Sequence, residues 1–242
     1  EWLRVMGYSK SEVIGRCFSE FVAPEFLDNF ADNFPRFKAA GKTRNTEFGM
    51  LRKDGSRITV SFNGNVEYDE EGRFKRTHCI MEDITDRKEA EEALLESEGR
   101  FRALFEQAGG YCMILDPNTA DGIPVIVDAN KAACAAHGYD YEEFVGRPVA
   151  DVDDEDGKRL VRERTREIMT GKPFYVENVH VRKDGTTFPV AVNAKRIDTG
   201  NGPPLILTTE YDITERRASE AKLKTYQYYL EKAQEIGRIG TW

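Results

Sequence analysis

The stretch Arg182-Lys183-Asp184-Gly185 decides the fold of this chain. It separates two β-prone segments, Phe174 to Val181 and Thr187 to Ile197, in which apolar and polar residues alternate. An Asp-Gly pair between two such segments is a strong hairpin signal, because glycine adopts positive φ without strain. We therefore expect an antiparallel hairpin here, and Arg52-Lys53-Asp54-Gly55 predicts a second hairpin about 130 residues earlier.

Two further stretches recur in the same order and at nearly the same offset. Gly7 to Arg16 matches Gly138 to Arg147, and Asp83 to Arg87 matches Asp212 to Arg216. A repeat as long as a domain indicates two homologous domains in tandem rather than a solenoid of short units.

The repeat also sets the expected domain bounds. We expect a first domain over residues 1–85, a helical linker over 86–108, a complete domain over 109–214, a second linker over 215–235, and the start of a third domain over 236–242. The first domain lacks counterparts of the first two strands of the second. The sequence leaves open whether those strands precede residue 1 or whether something else takes their place. It also leaves open an upstream membrane anchor, since it does not begin with Met.

The composition is that of a globular chain without a membrane span or a nucleic-acid surface. The 242 residues include 43 acidic and 35 basic side chains, a formal net charge of −8, which argues against non-specific binding to nucleic acid. No apolar run approaches the roughly 20 residues of a transmembrane helix, and no signal peptide opens the chain. The four cysteines lack CxxC spacing and predict reduced thiols, so we expect a cytoplasmic protein with no metal site.

The complete domain is predicted to be an α+β unit. Asn130 is placed to cap a helix, because its side chain can accept hydrogen bonds from the free amides of the first turn. The expected elements are two strands over 111–115 and 123–127, helical segments over 131–136, 142–145 and 155–170, and three strands over 174–181, 187–197 and 205–211. This order predicts a five-stranded antiparallel sheet.

The two linkers share a helical pattern with apolar or small residues at alternating steps of four and three. The positions are 90, 94, 97, 101, 104 and 108 in the first linker, and 223, 226, 230, 233 and 237 in the second. Such spacing is typical of a coiled-coil seam and predicts parallel dimerisation or helical relay. It equally fits an amphipathic helix folded against its own domain, and the sequence leaves both open.

These motifs together resemble the PAS domain with its C-terminal PAC segment. The resemblance rests on Val127-Asp128-Ala129-Asn130-Lys131-Ala132, the two Gly-Tyr stretches, the two Arg-Lys-Asp-Gly hairpins and the Asp-Ile-Thr motifs at 83–85 and 212–214. It implies an antiparallel sheet of order 2-1-5-4-3, with short helices on one face around a small cavity. It further implies a sensory and dimerisation role in a signal-transduction protein, upstream of a histidine kinase or a nucleotide cyclase.

Two cofactors of PAS-like sensors are disfavoured by the residues present. Haem sensors that resemble this family use a histidine of the long helix as the axial ligand, and neither 155–170 nor its counterpart at 24–40 contains histidine. Flavin photosensors of the LOV type need a cysteine within Asn-Cys-Arg-Phe-Leu-Gln. Cys17 lies in Gly15-Arg16-Cys17-Phe18-Ser19-Glu20, without the flanking Asn and Gln. The identity of any cofactor stays open.

The interior of the second domain is expected to be polar where that of the first is apolar. Asn178 and His180 share one strand face, and their counterparts are Phe48 and Met50. If this face points to the helices, as the resemblance implies, Asn178, His180 and Thr208 line a cavity for a small polar ligand or ordered water. The alternatives are a solvated face or direct bonding between these side chains.

The other polar residues are interpreted as structural. His137 is expected to cap the C-terminus of its helix, and no partner is identified for His78. A run of acidic residues is interpreted as a solvated loop before a helix rather than as a metal site. Its members are Asp151, Asp153, Asp154, Glu155 and Asp156.

Asp83, Thr85, Asp212 and Thr214 are expected to relay a signal. Each aspartate ends the last strand of its domain just before a linker helix, where a carboxylate can bond backbone amides or an arginine. Thr214 is placed as a helix N-cap. A ligand-driven movement of the sheet would pass through this joint by shifting a two-state population.

The leading hypothesis is a sensory segment that detects a small molecule or a redox cue and has no chemistry of its own. The sequence has no phosphate-binding loop, no nucleophile elbow, no HExxH motif and no local cluster of histidines with carboxylates, so no enzyme activity is predicted. The expected partners are a second copy in a parallel homodimer, a C-terminal histidine kinase domain and a small ligand. The alternatives are an output by a diguanylate cyclase or phosphodiesterase, and a ligand-free dimerisation spacer.

Overall fold

The computed structural model describes residues 1–200 and 202–239. The chain divides into two compact units, Glu1–Gly99 and Arg100–Trp242, which we name unit one and unit two. Each combines helices with one antiparallel sheet, as the predicted α+β class requires.

Unit one is built on a three-stranded sheet. Its strands pair antiparallel in the order β1-β2-β3, and its interior is apolar, with Met6, Phe48, Met50 and Val60 all buried. The elements are α1 (Trp2–Met6), α2 (Lys10–Val13), α3 (Leu27–Ala40), β1 (Lys42–Leu51), β2 (Arg57–Tyr68), β3 (Phe74–Asp83) and the start of α4 (Thr85–Glu106).

Unit two contains a complete five-stranded sheet. Its antiparallel order is β5-β4-β8-β7-β6, which is the order 2-1-5-4-3 that the resemblance implies. The elements are β4 (Tyr111–Asp116), β5 (Val125–Ala129), α5 (Lys131–His137), α6 (Tyr141–Phe144), α7 (Glu155–Met169), β6 (Phe174–Val181), β7 (Thr187–Ile197), β8 (Leu205–Asp212) and α8 (Thr214–Ile239).

The second strand of unit two starts later than the sequence predicted. It was expected over 123–127 and runs from Val125 to Ala129. The backbone N–H of Ile123 donates to the Asp121 side chain at 3.0 Å, and Pro124 has no N–H to give to a ladder. The turn therefore uses two residues that the apolar pattern assigned to the strand.

Asn130 fixes the start of α5, as predicted. Its side-chain oxygen accepts from the backbone amides of Ala133 at 2.9 Å and Cys112 at 3.0 Å. Its amide group donates to the carbonyls of Phe105 at 3.1 Å and Gly110 at 3.0 Å. One buried side chain thus joins α5, β4 and the end of α4.

The helix α7 covers the half of the sheet that holds the site described below. Asp154 caps it, since the Asp154 carboxylate accepts from the backbone N–H of Gly157 at 2.8 Å. Gly157 is required by close packing, because a Cβ there would lie 2.9 Å from Asn178 Nδ2 and 2.9 Å from Asp153. The helix then buries Val161 and Ile168 on the side that faces β6 and β7.

Unit one lacks counterparts of β4 and β5 within its 99 residues, all of which the structure describes. Its strands β1 to β3 correspond to β6 to β8 of unit two. The strand β3, whose counterpart in unit two is central, is therefore an edge strand, and Ile80 on it is 76% exposed. An exposed strand edge is a template for pairing with a further strand.

The linker helices are continuous in the structure. The helix α4 spans 85–106 where a linker over 86–108 was expected, and α8 spans 214–239 where a linker over 215–235 was expected. Residues 236–239 of the predicted third domain extend α8, and residues 240–242 lie outside the described residues, so that assignment stays a prediction. In the described part of the chain, no helix is long and apolar enough to cross a membrane.

Candidate functional site

Among its described residues unit two buries eight polar side chains, and we name the six that lie together in its interior the polar cluster. Each is at most 8% exposed. Alternate residues of a strand point to the same face of the sheet. Two residues of β6 and two residues of β8 therefore point into this interior. The members are His137 on α5, Asp153 before α7, Asn178 and His180 on β6, and Thr208 and Glu210 on β8.

A chain of hydrogen bonds runs through the polar cluster. Nδ1–H of His137 donates to the Ala133 carbonyl at 2.8 Å, since a carbonyl only accepts. Nε2 of His137 then accepts from Nδ1–H of His180 at 3.0 Å. Nε2 of His180, which carries no proton in this tautomer, lies 3.5 Å from Oδ1 of Asp153, and that oxygen accepts from the Asn178 amide at 2.6 Å. These contacts fix the orientation of both imidazole rings.

Two oxygens of the polar cluster have no hydrogen-bond partner among the described residues, namely Oγ1 of Thr208 and Oε2 of Glu210. Oε2 of Glu210 lies 3.6 Å from Nδ1 of His180, which is too long for a hydrogen bond. An unpaired buried polar atom destabilises a fold by about 1–3 kcal/mol. Both residues line a cavity of about 70 Å³, which can hold a few water molecules or a small ligand.

Burial shifts the ionisable groups of the polar cluster toward their neutral forms. It raises the pKa of Asp153 to about 7 and the pKa of Glu210 to about 8. It lowers the pKa of His180 to about 3, and it also lowers the pKa of His137. At neutral pH Glu210 is therefore mostly protonated and both rings are uncharged.

Unit one provides an internal comparison for the polar cluster. The backbone bridge between Val22 and Met50 corresponds to the bridge between Asp153 and His180. Met81 pairs with β2 as Glu210 pairs with β7, and the carbonyls of Met6 and His137 accept the same hairpin amide. Met6 corresponds to His137, and Val22 corresponds to Asp153. Phe48 and Met50 correspond to Asn178 and His180. Cys79 and Met81 correspond to Thr208 and Glu210.

No carboxyl group and no imidazole occupies these six positions in unit one. The corresponding part of unit one therefore packs with apolar residues and a thiol at these positions, and packing alone does not require the polar cluster. Burying it lowers stability unless the groups find partners. The cluster is for this reason the leading candidate for a functional site.

Unit one has a different cavity. It measures about 510 Å³ and lies beside α3 and β1. Polar residues and six phenylalanines line it, and the phenylalanines are Phe18, Phe30, Phe34, Phe37, Phe48 and Phe62. It offers van der Waals contact to an apolar group, whereas the cavity of unit two offers hydrogen bonds from buried ionisable groups.

The predicted relay residues of unit two form the joint between β8 and α8. Oδ1 of Asp212 accepts from the backbone N–H of Thr214 at 2.7 Å, and the N–H of Ile213 donates to the Pro189 carbonyl at 3.0 Å. Thr214 was predicted as the N-cap, but it is the first residue of α8, and Asp212 supplies the capping oxygen. The joint thus ties the helix start to both β8 and β7.

The corresponding joint of unit one has more hydrogen bonds. Asp83 accepts from the backbone N–H of Thr85 at 3.0 Å and from Arg52 at 2.9 Å. Oγ1 of Thr85 accepts from the backbone N–H of Thr59 at 3.0 Å. Pro189 replaces Thr59 in unit two and has no N–H, so the bond to a threonine hydroxyl cannot form there. The joint of unit two accordingly lacks this hydrogen bond.

A second contact holds the start of α8, and sequence reasoning missed it. Glu177 on β6 accepts from Arg216 and from Arg217, the latter at 3.0 Å. Glu47 of unit one corresponds to Glu177 and pairs with Lys88 at 2.7 Å. The first turn of α8 is therefore bonded to β6 and β8, the two strands that carry most of the polar cluster.

Family models match both units of this chain. The model described as PAS domain matches residues 110–215, and the model described as PAS fold matches residues 1–81. The chain belongs to the PAS domain family. It is a sensory PAS segment of the kind found in signalling proteins, and the resemblance inferred from its motifs is confirmed.

Two curated sensors are similar to this PAS chain. The methyl sulfide methyltransferase-associated sensor of Methanosarcina acetivorans is 33% identical over 153 residues, which are 63% of this chain and 15% of that protein. The sensor protein FixL of Bradyrhizobium diazoefficiens is 25% identical over 177 residues, which are 71% of this chain and 34% of that protein. The chain thus spans only a minor part of either relative.

Solved PAS structures are also similar to the chain. The PAS domain of an HTR-like protein from Haloarcula marismortui is 28% identical, with a TM-score of 0.46, and the match covers 52% of this chain and 99% of that one.

The position of the three residues predicted to line a cavity agrees with the prediction, whereas their role toward a ligand is untested. Asn178, His180 and Thr208 are buried around one cavity, and the prediction of a polar interior in unit two is confirmed. Asn178 and His180 do not bond each other, since Asn178 bonds Asp153 and His180 bonds His137. Their role toward a ligand stays a prediction.

Three members of the polar cluster were misjudged or missed. His137 does not cap α5, because Gly138 forms the left-handed C-cap while the ring of His137 points into the core. Asp153 was assigned to a solvated loop, but its backbone bridges to β6 and its side chain is 5% exposed. Glu210 was overlooked, although it lies two residues after Thr208 on the same strand face. His78 does have a partner, Glu67 at 2.8 Å.

The expectation that histidines and carboxylates do not cluster is also wrong. The chain separates His137, Asp153, His180 and Glu210 widely in sequence, and the sheet and α5 bring them together. A sequence alignment of the two units could have found the cluster, because each member aligns with an apolar residue or a thiol of unit one.

Proposed function

We propose that the polar cluster of unit two binds a small polar ligand or ion, and that β8 and α8 pass its presence to a C-terminal output domain. The observation that carries the proposal is a buried set of ionisable side chains at positions where the corresponding part of unit one has apolar residues or a thiol. Such a set lowers stability, which supports a role in binding rather than in folding.

The path from the cluster to the helix is short. Glu210 lies two residues before Asp212, whose carboxylate caps α8. Asn178 follows Glu177, which binds arginines of the first turn of α8. A ligand that displaces β6 and β8 would therefore shift the equilibrium between two orientations of the first turn of α8.

We further propose that the output domain is a histidine kinase and that the module works in the cytoplasm. The two relatives named as sensors support a role in signalling, and the four free thiols support a reducing compartment. A diguanylate cyclase or phosphodiesterase is the alternative output, and a ligand-free dimerisation spacer is the alternative function. The coding sequence downstream of residue 242 tests the output, since a phosphoacceptor histidine followed by an ATP-binding domain would identify a kinase.

A parallel homodimer through α8 is the proposed assembly. Leu223, Tyr226 and Leu230 lie on one stripe of the helix, and they are 59%, 68% and 63% exposed. They do not pack on their own unit, so the interpretation as a helix folded against its domain does not hold for them. An apolar stripe of this spacing is typical of a coiled-coil seam.

Replacing Leu223 and Leu230 with Glu should convert the dimer to a monomer, because two buried like charges per helix would face each other in the seam. Sedimentation equilibrium measures the mass directly. Ala221→Glu, on the opposite side of α8, serves as the matched control and should leave the dimer intact. A monomeric wild-type chain, or equal dissociation by the control variant, would contradict the proposed assembly.

Native mass spectrometry of the purified chain tests ligand binding. We expect the wild-type chain to carry a bound ion or small molecule in addition to its own mass. The variant His137→Met/His180→Met/Glu210→Met copies the residues of unit one and should carry none, because it removes both imidazoles and the unpaired carboxyl. A bare wild-type chain, or the same added mass on the variant, would count against a ligand in the polar cluster.

A further inference from the structure

We propose that His137, His180 and Glu210 bind a divalent transition metal ion of the zinc class. This inference rests on the proposed function, whose ligand it names. One ligand atom of each residue lies within 4.8 Å of the other two. Nε2 of His137 is 3.0 Å from Nδ1 of His180, which is 3.6 Å from Oε2 of Glu210. Donors about 2.1 Å from a tetrahedral ion are about 3.4 Å apart, so one ion can reach all three after small shifts.

The groups behind the two rings already orient them for metal binding. Nδ1–H of His137 is held by the Ala133 carbonyl at 2.8 Å, which turns the lone pair of Nε2 toward the site. Nε2 of His180 faces Oδ1 of Asp153 at 3.5 Å, and Asn178 holds that carboxyl group at 2.6 Å. A carbonyl and a carboxylate behind the ligating histidines are the usual partners in metal sites.

Metal binding would replace the hydrogen bond between the two rings by a bond from each ring to the ion. In the metal-free cluster Nδ1–H of His180 donates to Nε2 of His137. In the bound form the proton of His180 resides on Nε2 and faces Asp153, so Nδ1 becomes a ligand. Glu210 binds as a carboxylate and releases its proton to solvent.

A bound ion would also give the unpaired oxygen of the polar cluster a partner and balance the charge of its carboxylates. Oε2 of Glu210 has no hydrogen-bond partner among the described residues, and a metal ion would be its partner. Two positive charges balance the carboxylates of Glu210 and Asp153, while the rings stay neutral. The occupied site would therefore have no net charge.

The donor set and the space around it select the class of ion. Two imidazoles and one carboxylate suit zinc and its neighbours, whereas calcium and magnesium prefer oxygen ligands alone. The cavity of about 70 Å³ beside His180 and Glu210 leaves room for a water molecule or a small molecule as a fourth ligand. Unit one has methionines at all three ligand positions and offers no equivalent site.

A titration of the metal-free 242-residue chain with Co²⁺ tests the site. We expect one Co²⁺ per chain, with the strong visible absorption of a four-coordinate ion, and its displacement by one equivalent of Zn²⁺. Glu210→Gln removes one ligand and keeps the shape of the side chain, and it should lower the Zn²⁺ affinity by at least about 100-fold. Asp153→Asn keeps all ligands and should lower it about 10-fold through the orientation of His180.

Two controls make the titration specific to this cluster. His78 is the only other histidine of the chain and is exposed, so His78→Gln should leave the affinity unchanged. The Met triple variant should bind no Co²⁺ in four-coordinate form, and circular dichroism checks that it is folded. Absence of the four-coordinate spectrum from the wild-type chain overturns the metal site, and so does an unchanged spectrum in the triple variant.

Failure of the metal site and failure of the proposed function give different results. An organic molecule bound to the wild-type chain and lost in the triple variant, together with no Co²⁺ binding, would overturn the metal and support the proposed function. Tight Co²⁺ binding that leaves the backbone protection of α8 unchanged would support the site and overturn the relay.

Discussion

In the absence of metal, the variant His137→Met/His180→Met/Glu210→Met should leave unit two at least as stable as the wild type. Unit one has methionine at all three positions in the same fold, so the side chains fit this interior. Replacing buried ionisable groups by apolar ones of similar volume is often neutral or stabilising by about 1–4 kcal/mol. The hydrogen bond between Asn178 and Asp153 remains in the variant. Urea unfolding followed by exchange of unit-two amides measures the change.

The single variant His180→Ala should behave in the opposite way. It removes the donor to His137, the ring that faces Asp153, and the group nearest to Glu210, and leaves a cavity. We expect unit two to lose about 3 kcal/mol, because the remaining buried groups keep their desolvation without their partner. A triple variant that is less stable than His180→Ala would show that the polar cluster supports the fold.

Raising the pH from 6.5 to 8.5 should lower the free energy of unfolding of metal-free unit two by about 2–3 kcal/mol. Burial raises the pKa of Glu210 to about 8 and that of Asp153 to about 7. Their stabilising effect is complete below the pKa values of the unfolded chain. It is lost as the pH rises through the higher values of the folded state, since the folded interior resists ionisation.

The imidazoles of the cluster act in the other direction and at lower pH. Burial lowers the pKa of His180 to about 3 and lowers that of His137, so their contribution is present above about pH 6.5 and is lost as the pH falls. Below that pH the rings therefore oppose the carboxyl groups, and the decline should be confined to the alkaline side. Glu210→Met should remove most of it. A wild-type profile that is flat above pH 6.5 would mean that Glu210 is ionised in the folded chain.

The sequence predicts the topology because the fold signals are local. The Asp184-Gly185 hairpin, the Asn130 cap and the alternation along β6 and β7 each act within a few residues, and the repeat sets the domain length. The start of β5 lies two residues later than predicted, because Pro124 has no N–H to give to the ladder. The missing first strands of unit one follow directly from the repeat.

The candidate site could be predicted only in part, because burial depends on contacts distant in sequence. Asp153 has four acidic neighbours in sequence and looks solvated, yet a backbone bridge to His180 draws it inside. His137 ends a short helix, where a cap was the local interpretation, and the sheet turns its ring into the core. The sequence does predict that Glu210 points into the same interior as Thr208, since residues two apart in a strand lie on the same face.

Hydrogen exchange at the start of α8 tests the central claim most directly, namely that the polar cluster controls this helix. Changing the pH from 6.5 to 8.5 ionises Glu210 in the metal-free chain, and we predict altered protection of amides 213–218 in the metal-free wild-type chain after correction for the intrinsic rate. The Met triple variant keeps only Asp153 as an ionisable carboxyl group of the cluster and should show a much smaller change. Equal protection at both pH values in the wild type, or an equal change in both chains, would contradict coupling between the cluster and α8.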